Sequence, residues 1–411
     1  MIYAIIFSLI VICQVVFMFW KKKSPTCADL PISSESLEDS PDSAMQSLQP
    51  KPSKRTVLLN KIKPLLLYNP KDRKIENFCF IAFGIILLYM SSLRDGIGYD
   101  WDNYLNIFNA YRMWEMSLLE GFRLLNIEPG FAFLNMIIPN FHLLIFVIAI
   151  FSVSTKLWAI SKYSEAKYIS LLMYFAGIFI AYDMGIIRQA ISISMLLIGL
   201  GYIRDRKLIK FLLVIIAGSL FHISTLIFIP LYFINYRRFS RITIYIVTAV
   251  ALVLYFVDIT QILVFVLNLF PIDFITQRLE NYLDYETPLI LSLAKRIVVL
   301  VVFVEFYERF KINDKMSRIF LNSYILSVVL MAVFSSIPHL GARGVMGLYF
   351  LQIFIFAKIF AVSDKRLIKL GLLAVIVALS IDTMSSIIIE GNATNQPYTP
   401  FRSYIGTLFG W

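Results

Sequence analysis

Apolar runs recur along the chain from end to end, separated by short polar turns. A helix needs about 20 apolar residues to cross a bilayer. Runs approaching that length lie near 2–20, 78–93, 141–160, 168–183, 187–203, 242–265, 288–306, 319–337, 344–362 and 367–388. The stretch 208–236 is apolar for too long to be one simple crossing. Broken at Phe221-His222, it reads as two short helices folded as a hairpin. The pattern predicts an all-α, polytopic membrane protein with about 10–12 transmembrane helices and short hairpin or re-entrant segments.

Basic residues orient these crossings, because loops rich in Lys and Arg stay on the cytoplasmic side. Arg204-Asp205-Arg206-Lys207, Arg237-Arg238 and Lys365-Arg366 belong inside on that rule. A single crossing at 208–236 would separate the first two groups, whereas the hairpin keeps both inside. Loops near 94–140 and 266–287 then share the opposite, outer face. The first run lacks a basic leader, and Lys21-Lys22-Lys23 follow it, so 1–23 reads as a retained transmembrane anchor. Residues 24–75 read as a cytoplasmic, largely disordered insertion. Its first half is polar, acidic and Pro-containing, and its second half is basic. Residues 76–411 form the polytopic domain.

Composition agrees and narrows the function classes. Of 411 residues, 59% are hydrophobic and only 16% are charged, which excludes an ordinary soluble enzyme. The net charge of +11 falls mostly on the assigned inner turns. It is therefore a topology signal, and no nucleic-acid partner is implied. Cys13, Cys27 and Cys79 make neither a disulfide framework nor a metal-ligand spacing, and His142, His222 and His339 make no zinc motif. No Walker, dinucleotide or nucleophile-elbow pattern is present, so no cofactor is expected.

Candidate chemistry concentrates at the outer face. In Arg94-Asp95-Gly96-Ile97-Gly98-Tyr99-Asp100-Trp101-Asp102-Asn103-Tyr104, two glycines permit a tight bend carrying an arginine, three carboxylates and three aromatics. Such a set binds phosphate and sugar and supplies a general base; it also suits a plain interfacial loop with an aromatic belt. Asp183 closes one crossing, and Arg188-Gln189 open the next. An arginine at a helix N-terminus makes an anion site, while an Asp183–Arg188 ion pair would simply close the turn. His222 sits at the hairpin tip, as a structural histidine or a base. Arg343 begins another crossing, and Lys295-Arg296 lie about two turns inside the span 288–306, to snorkel or to meet a lipid phosphate. Arg94, Arg188, Arg343 and Arg296 thus converge on one face. Together they suggest a site for a lipid-borne diphosphate.

These segments, in this order, resemble the EpsG-like, Wzy-type polysaccharide polymerases. The likeness rests on Arg94-Asp95…Gly98-Tyr99-Asp100…Tyr104, on Ile187-Arg188-Gln189, on Ala217…Phe221-His222-Ile223-Ser224, and on Gln396-Pro397-Tyr398-Thr399-Pro400-Phe401-Arg402-Ser403. Tyr99-Asp100-Trp101 departs slightly from the usual first motif. The resemblance covers roughly 76–411. It implies polymerisation of undecaprenyl-diphosphate-linked oligosaccharide repeat units at the periplasmic face of a bacterial inner membrane. Membrane lipids are further partners, and a separate chain-length regulator is compatible. Asp100 and His222, with Asp183 behind them, are then candidate bases. Arg94, Arg188, Gln189, Arg343, Arg296, Tyr99, Tyr104 and Tyr398 are candidate diphosphate and sugar ligands. A flippase for the same units and a membrane acyltransferase are the alternatives.

Overall fold

A computed structural model describes residues 1–20, 70–257, 289–337, 339–363, 365–393 and 397–408. The predicted outer loop 266–287, most of the insertion 24–75 and Gln396 lie outside the described residues. The chain divides into two compact units, Met1–Val11 with Gly84–Trp411, and Ile12–Phe83. The smaller unit includes the second half of α1 (Ile2–Trp20) and α2 (Pro70–Ser92) as far as Phe83. Every side chain discussed below belongs to the larger unit.

The described residues are mostly helical and contain no strand, only an isolated bridge between Arg94 and Ser403. By length and composition, five helices are apolar enough to cross a membrane: Ile2–Phe19, Lys74–Ser92, Phe141–Tyr163, Lys315–Val333 and Arg366–Ala393. The protein is thus an all-α polytopic membrane protein. The other apolar runs form helices that are shorter or more heavily charged. The stretch 208–236 does fold back on itself. α9 (Leu208–Ser219) ends at a turn, and a 3-10 helix (Ile223–Phe228) and α10 (Ile229–Ile234) return along it.

Two other predicted features differ in detail. The loop 94–140 contains three short helices, α3 (Trp101–Met113), α4 (Leu118–Leu124) and α5 (Pro129–Ile137). A capping box between Ser117 and Glu120 starts α4, and Pro129 starts α5. Helices this short are marginal alone. The apolar faces of α3 and α5 are held by packing on the first turns of α6 (Phe141–Tyr163) and α8 (Ile187–Arg204). Trp101, Phe108, Phe131, Phe141, Ile187 and Ile191 form part of one buried cluster there. Each such side chain contributes roughly 1.5–3 kcal/mol when removed from water.

The run 168–183 is not one α-helix. α7 (Lys167–Met173) widens into a π-helix over Tyr174–Asp183. Beyond it come α11 (Arg241–Leu254), α12 (Ile290–Arg309), α13 (Lys315–Val333), a second π-helical stretch (His339–Gly344), α14 (Met346–Phe350), α15 (Gln352–Val362), α16 (Arg366–Ala393) and α17 (Tyr404–Leu408). α13 is central and packs on α11, α12, α14 and α15, whereas α16 is mostly exposed.

Candidate functional site

The loop Arg94–Asp100 bends as its two glycines suggest. Gly98 has φ 111°, and a Cβ there would sit 1.9 Å from the Met184 carbonyl oxygen. Only glycine lets the loop lie this close to the turn before α8. The C-terminal segment straps the same loop: Asp95 N–H donates to the Arg402 carbonyl (3.1 Å), and Tyr404 N–H to that of Leu93 (2.7 Å).

Asp100 precedes α3 and lies half-buried. The Tyr104 hydroxyl donates to it at 3.2 Å. Burial raises its carboxyl above the usual carboxylate range, against the opposing pull of Arg188, Arg343 and the Tyr104 hydroxyl. Asp100 is therefore within electrostatic reach of two arginines from different helical segments. Arg188 projects from the first turn of α8, with its guanidinium 5.8 Å from the Tyr104 ring and 5.7 Å from that of Phe131. Its Nη1 donates to Glu128 Oε2 at 2.7 Å, and its buried Nε finds no acceptor. The other Glu128 oxygen accepts from Ile223 N–H at 3.3 Å, and Gly130 N–H donates to the Leu220 carbonyl at 2.7 Å. Glu128 thereby joins the hairpin tip to Arg188.

His222 stands at that tip. Its Nδ1 accepts from Ser224 N–H (3.2 Å) and lies 2.7 Å from the Ser224 hydroxyl, so one ring nitrogen caps the 3-10 helix. The side-chain amide of Gln189 is buried and donates to the Arg343 carbonyl, which fixes the second π-helical stretch against α8. The Arg343 guanidinium stacks 5.0 Å from the Tyr99 ring.

Asp183 and Arg94 lie apart from this cluster, sealed in the interior. Asp183 Oδ1 pairs with Lys156 Nζ at 2.9 Å, with both side chains fully buried. Tyr174 donates to Oδ2 at 2.8 Å, and Ser152 also donates to Oδ1. The ion pair envisaged between Asp183 and Arg188 is thus replaced by Asp183–Lys156 and Arg188–Glu128. Arg94, 1% exposed, donates to the backbone carbonyls of Ser91, Ile97 (3.1 Å) and Asp183 (3.4 Å). Burial lowers its guanidinium to about 10, so it stays cationic at neutral pH. It works here as a clamp between loop and turn.

The EpsG family model matches residues 77–403, which is most of the chain. The protein belongs to the EpsG family. Searches of curated proteins and of solved structures found no match. Membership places the chain among Wzy-type, polysaccharide-polymerase-like proteins and gives it a polymerase-like role in polysaccharide biosynthesis.

In this EpsG-family chain, Tyr99, Arg296, Arg343 and Tyr398 line one cavity of about 420 Å³. Asp100, Tyr104, Arg188 and Glu128 form the adjoining cluster through the contacts above. Asp100 faces both arginines electrostatically, so a carboxylate and an anion-binding pair are available together. Among the described residues, no three His, Cys, Asp or Glu side chains gather as metal ligands.

Two residues went unnoticed in the sequence. Glu128 looked like one acid among many in a polar loop, although its place immediately before Pro129 marks a helix start. Lys156 is the sole charge in the run 141–160, and a cation there requires a buried partner.

Proposed function

We propose that the protein polymerises undecaprenyl-diphosphate-linked oligosaccharide repeat units at the periplasmic face of a bacterial inner membrane. The observation that carries this reading is an Asp100 carboxyl within electrostatic reach of both Arg188 and Arg343 in an EpsG-family chain. In the proposed reaction, a hydroxyl of the acceptor unit attacks the anomeric carbon of the donor chain. Its proton passes to the Asp100 carboxylate, whose raised affinity for protons suits a general base. The bond from that carbon to the diphosphate oxygen breaks, and the electron pair leaves with the lipid diphosphate. The lengthened chain stays on the acceptor lipid.

Arg188 and Arg343 neutralise charge that grows on the leaving diphosphate, in a setting where each charge-assisted bond is strong. Tyr99 offers an aromatic face to a sugar ring, and the buried Tyr398 backs the same cavity wall. Gln189 acts by holding the Arg343 backbone, and His222 orders the hairpin beside Glu128. Arg94 and Asp183 position the loop and the turn from behind.

The test is Arg188→Ala. It should abolish long-chain polysaccharide while single lipid-linked units persist on the outer face. A normal chain-length ladder from well-expressed Arg188→Ala protein would refute the reading. Purified protein given lipid-diphosphate units should release lipid diphosphate and polymer. Transfer of intact units across vesicles without new glycosidic bonds would favour a flippase instead.

A further inference from the structure

We propose that the cavity beside Arg343 seats the phosphate of a long-chain lipid, whose hydrocarbon runs into the crevice adjoining it. The Lys295–Asp382 ion pair forms a lateral gate between the two. This rests on the polymerase reading, which supplies a phosphate-bearing lipid as substrate, and it assigns that lipid's headgroup and chain to residues outside the Asp100 cluster.

Arg296 carries the first part. It is only 7% exposed, it lines the cavity, and its buried Nη1 has no hydrogen-bond partner. Its guanidinium lies 4.0 Å from the centre of the Tyr349 ring. An arginine cannot escape burial by losing its proton, so an unmet N–H donor beside a cavity calls for an anion from outside the protein. Arg343 and Lys295 line the same cavity and add positive charge.

The crevice carries the second part. A further cavity of about 140 Å³ shares Gly177, Lys295, Tyr349 and Asp382 with the first, so the two adjoin along a common wall. Away from that junction its walls include Ile178, Val299, Phe350 and Leu379. A polar chamber whose three basic side chains outnumber Asp382 and Glu390, set against an apolar crevice, matches an amphiphilic anion. It does not match inorganic phosphate, which would have no use for the crevice.

The junction carries the third. Lys295 Nζ and Asp382 Oδ2 are 3.1 Å apart, with side chains 59% and 58% exposed. Both belong to segments read as membrane-spanning, and α16 is the least buried of the apolar helices long enough to cross. Charges at such a surface persist only when paired. An entering phosphate competes with Asp382 for Lys295, so the pair opens to an anion and closes behind it. Gly177 keeps the passage clear. A Cβ there would touch only Thr383, at 3.7 Å.

The experiment measures binding to the purified full-length protein in nanodiscs, using a polyprenyl diphosphate and inorganic diphosphate as probes. The wild type should prefer the polyprenyl probe by at least about tenfold. Arg296→Gln should weaken both probes by about tenfold or more, as expected for a lost charge-assisted bond. Gly177→Leu should weaken only the polyprenyl probe. Asp382→Asn should tighten the polyprenyl probe by freeing Lys295. Equal affinity for the two probes would overturn the proposal, as would unchanged binding in Arg296→Gln or in Asp382→Asn. Because binding is read without turnover, the two readings fail separately. Lipid bound by a wild type that makes no polymer from lipid-linked units sinks the polymerase, and polymer made without binding at this seat sinks the seat.

Discussion

Replacing Lys156 by Met tests how the turn before α8 is held. Lys156 Nζ donates to Ser152 Oγ (2.7 Å), Asp183 Oδ1 (2.9 Å), the Ala190 carbonyl (3.1 Å) and Ser194 Oγ (3.2 Å), with no exposure to solvent. Met keeps an unbranched side chain, one atom shorter, and removes its charge. Breaking a buried pair by removing one partner costs about 3–5 kcal/mol, because the remaining ion is left uncompensated. Tyr174 and Ser152 still donate to the Asp183 carboxylate, so the cost should fall near the lower end, about 3 kcal/mol. Asp183→Asn alone should destabilise for the mirror-image reason. The double variant Lys156→Met/Asp183→Asn removes both charges and should recover about 2 kcal/mol relative to the sum of the singles. Equilibrium unfolding in mixed micelles measures all three. Additive losses, or a Lys156→Met protein as stable as the wild type, would show that this pair does not hold the turn.

Three further outcomes follow from the site. Gly98→Ala should abolish polymer formation even where protein accumulates, because a Cβ would collide with the Met184 carbonyl at a positive φ; polymer yield per folded protein measures it. Burial holds the Asp100 carboxyl above the range of an ordinary aspartate, so wild-type turnover should fall as pH drops through that raised value. Asp100→Asn should lower the rate by about 10²–10⁴ and remove that acid limb from the pH–rate profile. Glu128→Gln keeps the bond to Ile223 but strips Arg188 of its counter-charge, and should cut turnover by at least about tenfold in reconstituted vesicles, equivalent to about 1.4 kcal/mol.

The fold class was legible because hydrophobic length is a one-dimensional property. The hairpin at Phe221-His222 was legible because charge on both flanks demanded it. Helices α3 and α5 were not, since their stability comes from packing on α6 and α8 rather than from their own sequence. Arg188 and Arg343 were readable as helix-start arginines, and both act electrostatically on the Asp100 carboxyl. Arg94 carried the same sequence signal, yet its guanidinium is used up on three carbonyls. Residue type does not reveal which way a side chain turns at a bend. The partners of Asp183 and Arg188 were hidden for the same reason. Lys156 is 27 residues from Asp183, and Glu128 is 60 residues from Arg188.

The π-helix over Tyr174–Asp183 constrains how this chain tolerates insertion and deletion. Its ladder is continued by Met184 N–H to the Phe179 carbonyl and Ile186 N–H to the Ala181 carbonyl, both at 3.0 Å. Such a ladder carries more residues per turn than an α-helix. Removing one residue would let the segment rewind toward the ordinary helix, which local backbone energetics favour. That change would alter the phase of its two ends relative to each other, because deletion and rewinding do not cancel over the whole segment. Tyr174 and Asp183 sit at opposite ends of the segment and bond each other, so they would come out of phase. Asp183 would also turn away from Lys156. The reading frame of this segment is therefore locked by its buried charge rather than by helix propensity. A single-codon deletion here should be harder to accommodate than several substitutions.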